Sequence, residues 1–295
     1  MDANWIAVDW NATNLRLWVM GSDGSILDEK VSDQGAENVN QGSFETVMID
    51  FVQPFLPTTG TLPIICSGMI SDIHAPYQPV PYNLNNIPEA VRVTTTDRRI
   101  SVHILPGIKQ QSPADVMRGQ ETQIAGFLQI NPDFDGVICL AGRHTKWAHI
   151  SASEIVSFQT YMTGELFQFL SQQSTLQRAI SIDEFDIPAF TTAVDDAMSH
   201  PQALSSKLFG IYAASQVSDQ SPPSAAARLS GLLLGAELAA ARPYWLGQNV
   251  AIIGSDDVAK QYQLGLEKQG VMATITDAND MTLAGLSAAY HQLYP

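Results

Sequence analysis

Apolar residues crowd three short stretches near the N-terminus: Trp5 to Asp9, Leu15 to Met20 and Ile26 to Val31. Runs of this length and composition predict strands, with Ser22-Asp23-Gly24 turning the chain between the second and third. From Ser43 the spacing becomes helical. It predicts a helix capped by Ser43, reaching about Phe55 and stopped by Pro54 and Pro57. Leu62 to Cys66 predicts a buried strand that leaves through a turn at Ser67-Gly68-Met69. Residues 71–90, rich in Pro and Asn, predict irregular loop. Val91 to Thr95 and Ile100 to Leu105 predict a strand pair. Pro113-Ala114-Asp115 predicts the start of a helix through Gln129, with Asp115 as the acid favoured at a helix start.

The run Gly136 to Leu140 opens a second series. Lys146 to Ile150 and Ile155 to Thr160 predict strands, and helices are predicted at 163–172, 183–199, 203–215 and 223–246. Val250 to Ile253, Gly254-Ser255 and a helix from Asp256 to about Gln269 make a strand–turn–helix. A strand at Val271 to Ile275 and a helix from Asp280 to Leu293 follow. No short-period repeat is visible. Both halves nevertheless open with a strand, a polar turn and further strands. The pattern predicts two related α/β lobes, 1–132 and 133–279, with the last helix (280–295) packing back on the first. Small ligands favour the cleft between such lobes.

Apolar residues make up 45% and charged residues 15% of the 295, which describes an ordinary globular protein. A net charge of −15 argues against nucleic acid as a partner. It also means that an anionic substrate needs local cations at its site. Between Arg118 and Arg178 the only Lys and Arg residues are Arg143 and Lys146, both in the polar turn after Gly136 to Leu140. Solvated loop charges are the plainer explanation of that pair. Cys66 and Cys139 lie in apolar strand-like runs, so buried thiols are expected; a disulfide stays open from sequence. No basic and apolar leader is read at the N-terminus, and Ala225 to Ala241 is too short to span a bilayer. The expectation is a cytoplasmic protein without a membrane partner. Gly231 and Gly235 in that helix predict close helix packing.

Two polar turns hold the candidate chemistry. Asp9, at the end of the first strand, is a carboxylate that could hold hydrated Mg²⁺, and the turn Asn11-Ala12-Thr13 would bring backbone N–H groups to phosphate oxygens. Asp-x-Asn after a strand is also a common turn signal. In the second turn, Gly142, Arg143, Thr145 and Lys146 could meet phosphate, while His144 has no partner at zinc-ligand spacing and is read as a hydrogen-bonded loop residue. Arg118 and Glu121 are placed for catalysis or for a helical ion pair, and Arg118 would share a face with Thr122 as well. Thr163 is a candidate helix cap whose neighbouring amides could face an anion. Gly254 and Ser255 could lie against a nucleotide.

Several strings together resemble the 2-dehydro-3-deoxygalactonokinase family of the actin/hexokinase/Hsp70-like superfamily. They are Asp9-Trp10 with Thr13-Asn14-Leu15-Arg16, Gly68-Met69-Ile70 with Ala75-Pro76-Tyr77, and Pro106-Gly107. Val116-Met117-Arg118-Gly119 with Glu121-Thr122-Gln123, His144 with Lys146-Trp147, Phe158, Thr160 and Met162-Thr163-Gly164-Glu165-Leu166 follow. Gly231-Leu232-Leu233 with Gly235-Ala236-Glu237 completes the series, in family order. The resemblance implies an α/β actin-like ATPase fold of two ribonuclease-H-like lobes around a central cleft. It implies ATP and Mg²⁺ as cofactors and a 2-keto-3-deoxy sugar acid as the small-molecule partner, phosphorylated on its terminal hydroxyl. Asp9, Glu121 and Arg118 become catalytic candidates. Asn14, Arg16, Gly68, Met69, Tyr77, Thr163 and Glu165 become substrate candidates, with Arg16 or Arg118 on the sugar-acid carboxylate. A homodimer is one assembly such a chain could form.

The chain departs from the family pattern at both turns. Asn11 and Ala12 stand where a Gly and a hydroxyl residue are usual; Ala141 and Arg143 stand where Pro and Thr are usual. Asn11 would suit a left-handed backbone there. Arg143 could add transition-state charge compensation or fill the phosphate site. An alternative therefore stays open beside the kinase: a catalytically impaired relative that binds a sugar acid or nucleotide as a sensor or partner protein.

Overall fold

Every residue of the first strand, Trp5–Trp10 (β1), is buried, so both faces of the sheet around it must be covered. A computed structural model describes residues 3–40, 43–70, 75–84 and 90–295. The chain divides into two units: Met1–Phe134 with Ser151–Ser157 and Ala278–Pro295, and Asp135–Ile150 with Phe158–Asp277.

In the first unit, β1 pairs antiparallel with Leu15–Met20 (β2), which pairs antiparallel with Ile26–Ser32 (β3). On its other side β1 runs parallel to Leu62–Gly68 (β4), which runs parallel to Ile100–Ile104 (β8); Val91–Val93 (β7) closes the edge. One face carries Ile6, Val8 and Trp10 under helix Phe44–Val52 (α1). The opposite face carries Trp5 and Ala7 under Leu286 and Ala289 of the last helix, Ala278–Leu293 (α9). Between β4 and β7, the described parts of the expected loop hold two-residue strands at Gln78–Pro79 (β5) and Tyr82–Asn83 (β6); residues 71–74 and 85–89 of that loop lie outside the described residues.

The second unit repeats the plan. Gly136–Leu140 (β11) pairs antiparallel with Thr145–Ser151 (β12) and parallel with Val250–Gly254 (β14), and β14 runs parallel to Thr274–Asp277 (β15). With Glu154–Tyr161 (β13) beside β12 and β6 antiparallel to β13, the order is β15-β14-β11-β12-β13-β6. In both sheets a three-strand meander is followed by two strands that add in parallel on the far side of the first. That is the ribonuclease-H-like order, present twice. The helices of this unit are Thr163–Gln173 (α3), Ile187–Ser199 (α4), Leu204–Val217 (α5), Pro222–Ala240 (α6), Arg242–Trp245 (α7) and Asp256–Lys268 (α8).

Several sequence expectations are corrected. The helix expected from Pro113 is a hairpin instead: Ile108–Gln111 (β9) pairs with Ala114–Met117 (β10), and the helix starts only at Gln120–Ile130 (α2). The reason is Gly119, whose φ of +91° cannot lie inside a right-handed helix. Asp115 is therefore a strand residue and not a helix-start acid, and Arg118 stands ahead of the helix that contains Glu121. Helix 183–199 begins at Ile187, because the Asp186 carboxylate caps it by accepting the Ala189 N–H at 3.0 Å. Helix 223–246 breaks after Ala240, ahead of Pro243, which has no N–H to continue it. The strand expected at Val271 starts at Thr274, since the Val271 N–H closes α8 on the Leu266 carbonyl. Ser43 precedes α1 without a side-chain cap bond. Cys66 and Cys139 are buried free thiols. Among the described residues no helix is long and apolar enough to cross a membrane.

Glycines set the helix crossings. A Cβ on Gly126 of α2 would lie 2.0 Å from the Met281 carbonyl oxygen, and one on Gly285 of α9 would lie 2.0 Å from that of Thr122. Each helix thus gives up a side chain where the other's backbone passes. Gly231 and Gly235 of α6 do the same for Phe190 and Val194 of α4, at 2.3 and 2.5 Å. Gly210 of α5 faces open space. Gly285→Ala should destabilise by roughly 1–3 kcal/mol from overpacking. Gly210→Ala should stabilise by about 0.5–1 kcal/mol from helix propensity. Urea midpoints of the two variants check this, and equal shifts would refute the crossing argument.

Candidate functional site

In the first unit, β1 and β4 end side by side, with Asp9 in register with Ser67 and Trp10 with Gly68. Gly68 has a φ of +100°, and a Cβ there would lie 2.5 Å from the Trp10 carbonyl oxygen. Gly119, just ahead of α2, packs on this strand end: its Cβ would lie 3.1 Å from Gly68 Cα and 3.9 Å from Asn11 Oδ1. Only glycine permits that approach of helix to strand at these φ values.

Asp9 is 8% exposed and accepts one hydrogen bond, from Asn11 Nδ2 at 2.8 Å. Burial pushes its carboxyl up to about 6, against the opposing pull of Asn11 and of Arg16 across the β1–β2 pair. Asn11 spends its side chain on Asp9 and Asn14. Its backbone is not left-handed: among the described non-glycine residues only Ala152 and Ser153 have positive φ.

The turn itself is buttressed by a segment that the sequence did not mark. Ala36 and Glu37 donate their N–H groups to the carbonyls of Asn11 and Ala12, and Gly35 lies so close that a Cβ would sit 2.3 Å from the Ala12 oxygen. The carbonyls are thereby held inward. The N–H groups of Ala12 and Thr13 make no hydrogen bond among the described residues. Thr13 and Asn14 are exposed at the tip.

Beside this turn stand Tyr77, Arg118 and Glu121. A Cβ on Gly107 would lie 2.9 Å from Tyr77 Cε1 and 3.1 Å from Arg118 Cγ, so the two side chains meet over that glycine. The Glu121 carboxylate accepts the Gly119 N–H at 2.7 Å, fixing the start of α2. Burial and the Glu121 charge push the Tyr77 hydroxyl up to about 12. Burial lowers the Arg118 guanidinium, with Glu121 opposing. The structure therefore gathers Asp9, Asn11, Gly68, Tyr77, Arg118 and Glu121, with Met69 donating its N–H to the Trp10 carbonyl beside them. Arg16, opposite Asp9 across the β1–β2 pair, is ion-paired with Glu29 and lies over Trp18.

In the second unit the turn Ala141–His144 lies against two elements. The Ala141 N–H donates to Ile253 at the end of β14, and a Cβ on Gly254 would lie 3.0 Å from the Ala141 oxygen. The start of α3 docks on the other side: the Glu165 N–H donates to the Arg143 carbonyl at 3.0 Å, and a Cβ on Gly164 would lie 2.7 Å from the Gly142 oxygen. The Glu165 carboxylate holds both His144 and Arg143, the latter at 3.5 Å, and the His144 bond lowers its pKa. His144 is thus a hydrogen-bonded loop residue. The N–H groups of Arg143 and His144 make no hydrogen bond among the described residues. A cavity of about 440 Å³ opens here, lined among others by Gly142, Arg143, Thr163, Ser255 and Tyr262. Thr163 and Glu165 accordingly group with the second turn and not with Tyr77 and Arg118. Lys146 lies within β12, 5% exposed, its ammonium on Thr160 Oγ1 at 2.6 Å and 5.9 Å from the centre of the Phe158 ring.

Sequence reasoning assigned no role to Glu237. This carboxylate, 3% exposed in α6, accepts hydrogen bonds from Trp147 Nε1 (2.8 Å), the Tyr262 hydroxyl (2.8 Å) and the Thr163 hydroxyl. Thr163 was expected to cap α3; it follows Met162 at the cap position, and its hydroxyl is spent on Glu237. Burial raises the Glu237 pKa, with the three donors opposing. The available signal was an acidic residue in the most apolar helix of the chain, where an unpaired charge is not tolerated.

A 2-keto-3-deoxy-galactonokinase family model matches residues 9–289. The chain is 33% identical to a probable 2-dehydro-3-deoxygalactonokinase of Rhizobium meliloti, across 98% of this chain and 97% of that one. It is 28% identical to the 2-dehydro-3-deoxygalactonokinase of Escherichia coli, across 99% of both. A crystal structure from Sinorhizobium meliloti carrying the same kinase name superposes with a TM-score of 0.91 at 31% identity, covering 99% of each chain. The chain belongs to the 2-keto-3-deoxy-galactonokinase family.

Proposed function

We propose that this protein is an ATP-dependent kinase that phosphorylates the terminal hydroxyl of 2-dehydro-3-deoxygalactonate, giving the 6-phosphate, in galactonate breakdown in the cytoplasm. Family membership over nearly the whole chain supports the reaction class. The observation that carries the reading to residues is the end of β1: a buried carboxyl beside turn amides with no internal partner. Such amides accept phosphate oxygens, and a single hard carboxylate suits Mg²⁺, which takes its remaining ligands from phosphate and water.

In this reading the first unit serves the metal and the sugar acid. Asp9 would hold Mg²⁺, whose chemistry is to neutralise charge on the transferred phosphoryl group. The Ala12 and Thr13 amides would receive phosphate oxygens. Arg118, which meets Tyr77 over Gly107, would take the sugar-acid carboxylate, where a guanidinium fork fits. Glu121 holds the Gly119 amide, so its part is to shape the pocket floor near Tyr77. The second unit serves the nucleotide. Gly142, Ser255 and Thr163 line its cavity, Gly254 lets the turn lie close, and the Arg143 and His144 amides would meet phosphate. Arg143, the added cation, would place positive charge where the chain as a whole is strongly negative.

Asp9→Asn should lower ATP-dependent turnover of 2-dehydro-3-deoxygalactonate by about 100-fold or more. ADP release measures this, and full turnover in the variant would sink the assignment. The same change should stabilise the protein without ligands. Below its usual value of 3.8 Asp9 is protonated whether folded or not; between there and about 6 the folded chain keeps a proton that the unfolded chain releases. Wild-type stability from this group is therefore lost as pH rises through that window. Asp9→Asn should gain up to about 3 kcal/mol at pH 7, vanishing towards pH 4, in parallel urea titrations. Arg143→Thr should lower turnover at least about tenfold if Arg143 compensates for the altered turns; higher turnover would mean that it blocks the site.

A further inference from the structure

The buried side chains behind the second turn form a hydrogen-bonded series with a fixed direction. A carboxylate only accepts, so Glu237 takes the proton of the Tyr262 hydroxyl at 2.8 Å. A phenol has one proton, so the contact between Tyr262 and Thr145, 2.6 Å long and fully buried, must be donated by Thr145. The Thr145 oxygen, its proton committed to Tyr262, is then left to accept; the Gly142 nitrogen lies 3.5 Å from it and the Gly142 carbonyl oxygen 3.4 Å. The series runs from the Gly142 amide through Thr145 and Tyr262 to Glu237. The remaining Glu237 contacts, with Trp147 in β12 and Thr163 at the start of α3, hold the two elements that flank the turn. Tyr262 also lines the cavity.

We propose that Glu237 is the positioning residue of the nucleotide side, acting through Tyr262 and Thr145 to draw the Gly142 amide inward and so turn the Arg143 and His144 amides outward for phosphate. The role rests on the kinase reading above. Glu237 itself touches no reacting atom. Its reach explains why an acidic residue sits in the apolar helix α6 among the glycines that let that helix pack closely. A hydrocarbon side chain would fill the space at less cost, but would leave three donors without an acceptor and the series without a direction.

The test separates position from stability. Tyr262→Phe keeps the buried ring and cuts the series. Glu237→Gln keeps the shape, but its amide donates as well as accepts, so the series can reverse. Calorimetric titration with ATP and Mg²⁺ should show binding weakened about tenfold in each variant. The Kd for 2-dehydro-3-deoxygalactonate should stay within about twofold of wild type. Lower thermal stability with unchanged ATP affinity would overturn the role, leaving Glu237 a purely structural group. Equal weakening of both ligands would overturn it too. Wild-type turnover is a separate measurement that decides the kinase reading. A wild type that turns over, with variants binding ATP as tightly, refutes the positioning role alone; a wild type that binds no ATP refutes both.

Discussion

A carboxylate removed from water must be offset by donors or by a nearby cation, or it takes up a proton. Among the described residues three carboxyls are buried, those of Asp9 and Glu121 in the first unit and of Glu237 in the second. Asp9 lies at the end of β1 and Glu237 lies under β12. The surrounding elements are arranged around how each is satisfied. For Asp9 the nearest donor comes from its own turn, so the turn is folded back and its carbonyls are tied to Ala36 and Glu37. For Glu237 the donors come from β12, α3 and α8, so three elements that are distant in sequence are brought to one point.

Glycine makes this possible at the level of the backbone. A side chain at Gly119 would push the start of α2 off the strand end, and with it the Glu121 contact to the Gly119 amide, while one at Gly68 would strike the Trp10 backbone. In the second unit Gly164 and Gly254 let α3 and β14 close on the Ala141–His144 turn from two sides. The turns can then be short and polar without being loose, because their shape is set by neighbours that fit no Cβ. The chemistry of each turn is left to the amides facing away from those neighbours.

The strands were legible because burial on both sides of a sheet demands long apolar runs, and Trp5 to Asp9, Gly136 to Leu140 and Val250 to Ile253 supply them. The hairpin at 108–117 was not, because its short, half-exposed strands carry polar residues and Pro113 imitates a helix start. Local pattern there competed with Gly119, whose role as a helix boundary depends on a φ that sequence does not display. The two turns were visible as polar breaks between apolar runs. Their supports were not: Gly35 to Glu37 acts through backbone alone, and backbone donors carry no residue signature. Glu237 was in plain view within the family strings, but its partners Trp147, Thr163 and Tyr262 become one cluster only after folding.

Two of these carboxyls, Asp9 and Glu237, differ in how far they are satisfied. Glu237 has three donors and no access, so its charge is consumed in holding other groups still. Asp9 has one donor among the described residues, an Arg16 across the β1–β2 pair that is also engaged by Glu29, and a pKa raised to about 6 by burial. A folded protein gains nothing in stability from that arrangement at neutral pH. An under-satisfied carboxylate at the mouth of a turn with outward amides is instead poised to gain when a cation arrives, since the cation supplies the opposing charge that the fold withholds. In the function proposed above, partial satisfaction, more than burial itself, is what makes Asp9 the candidate metal ligand.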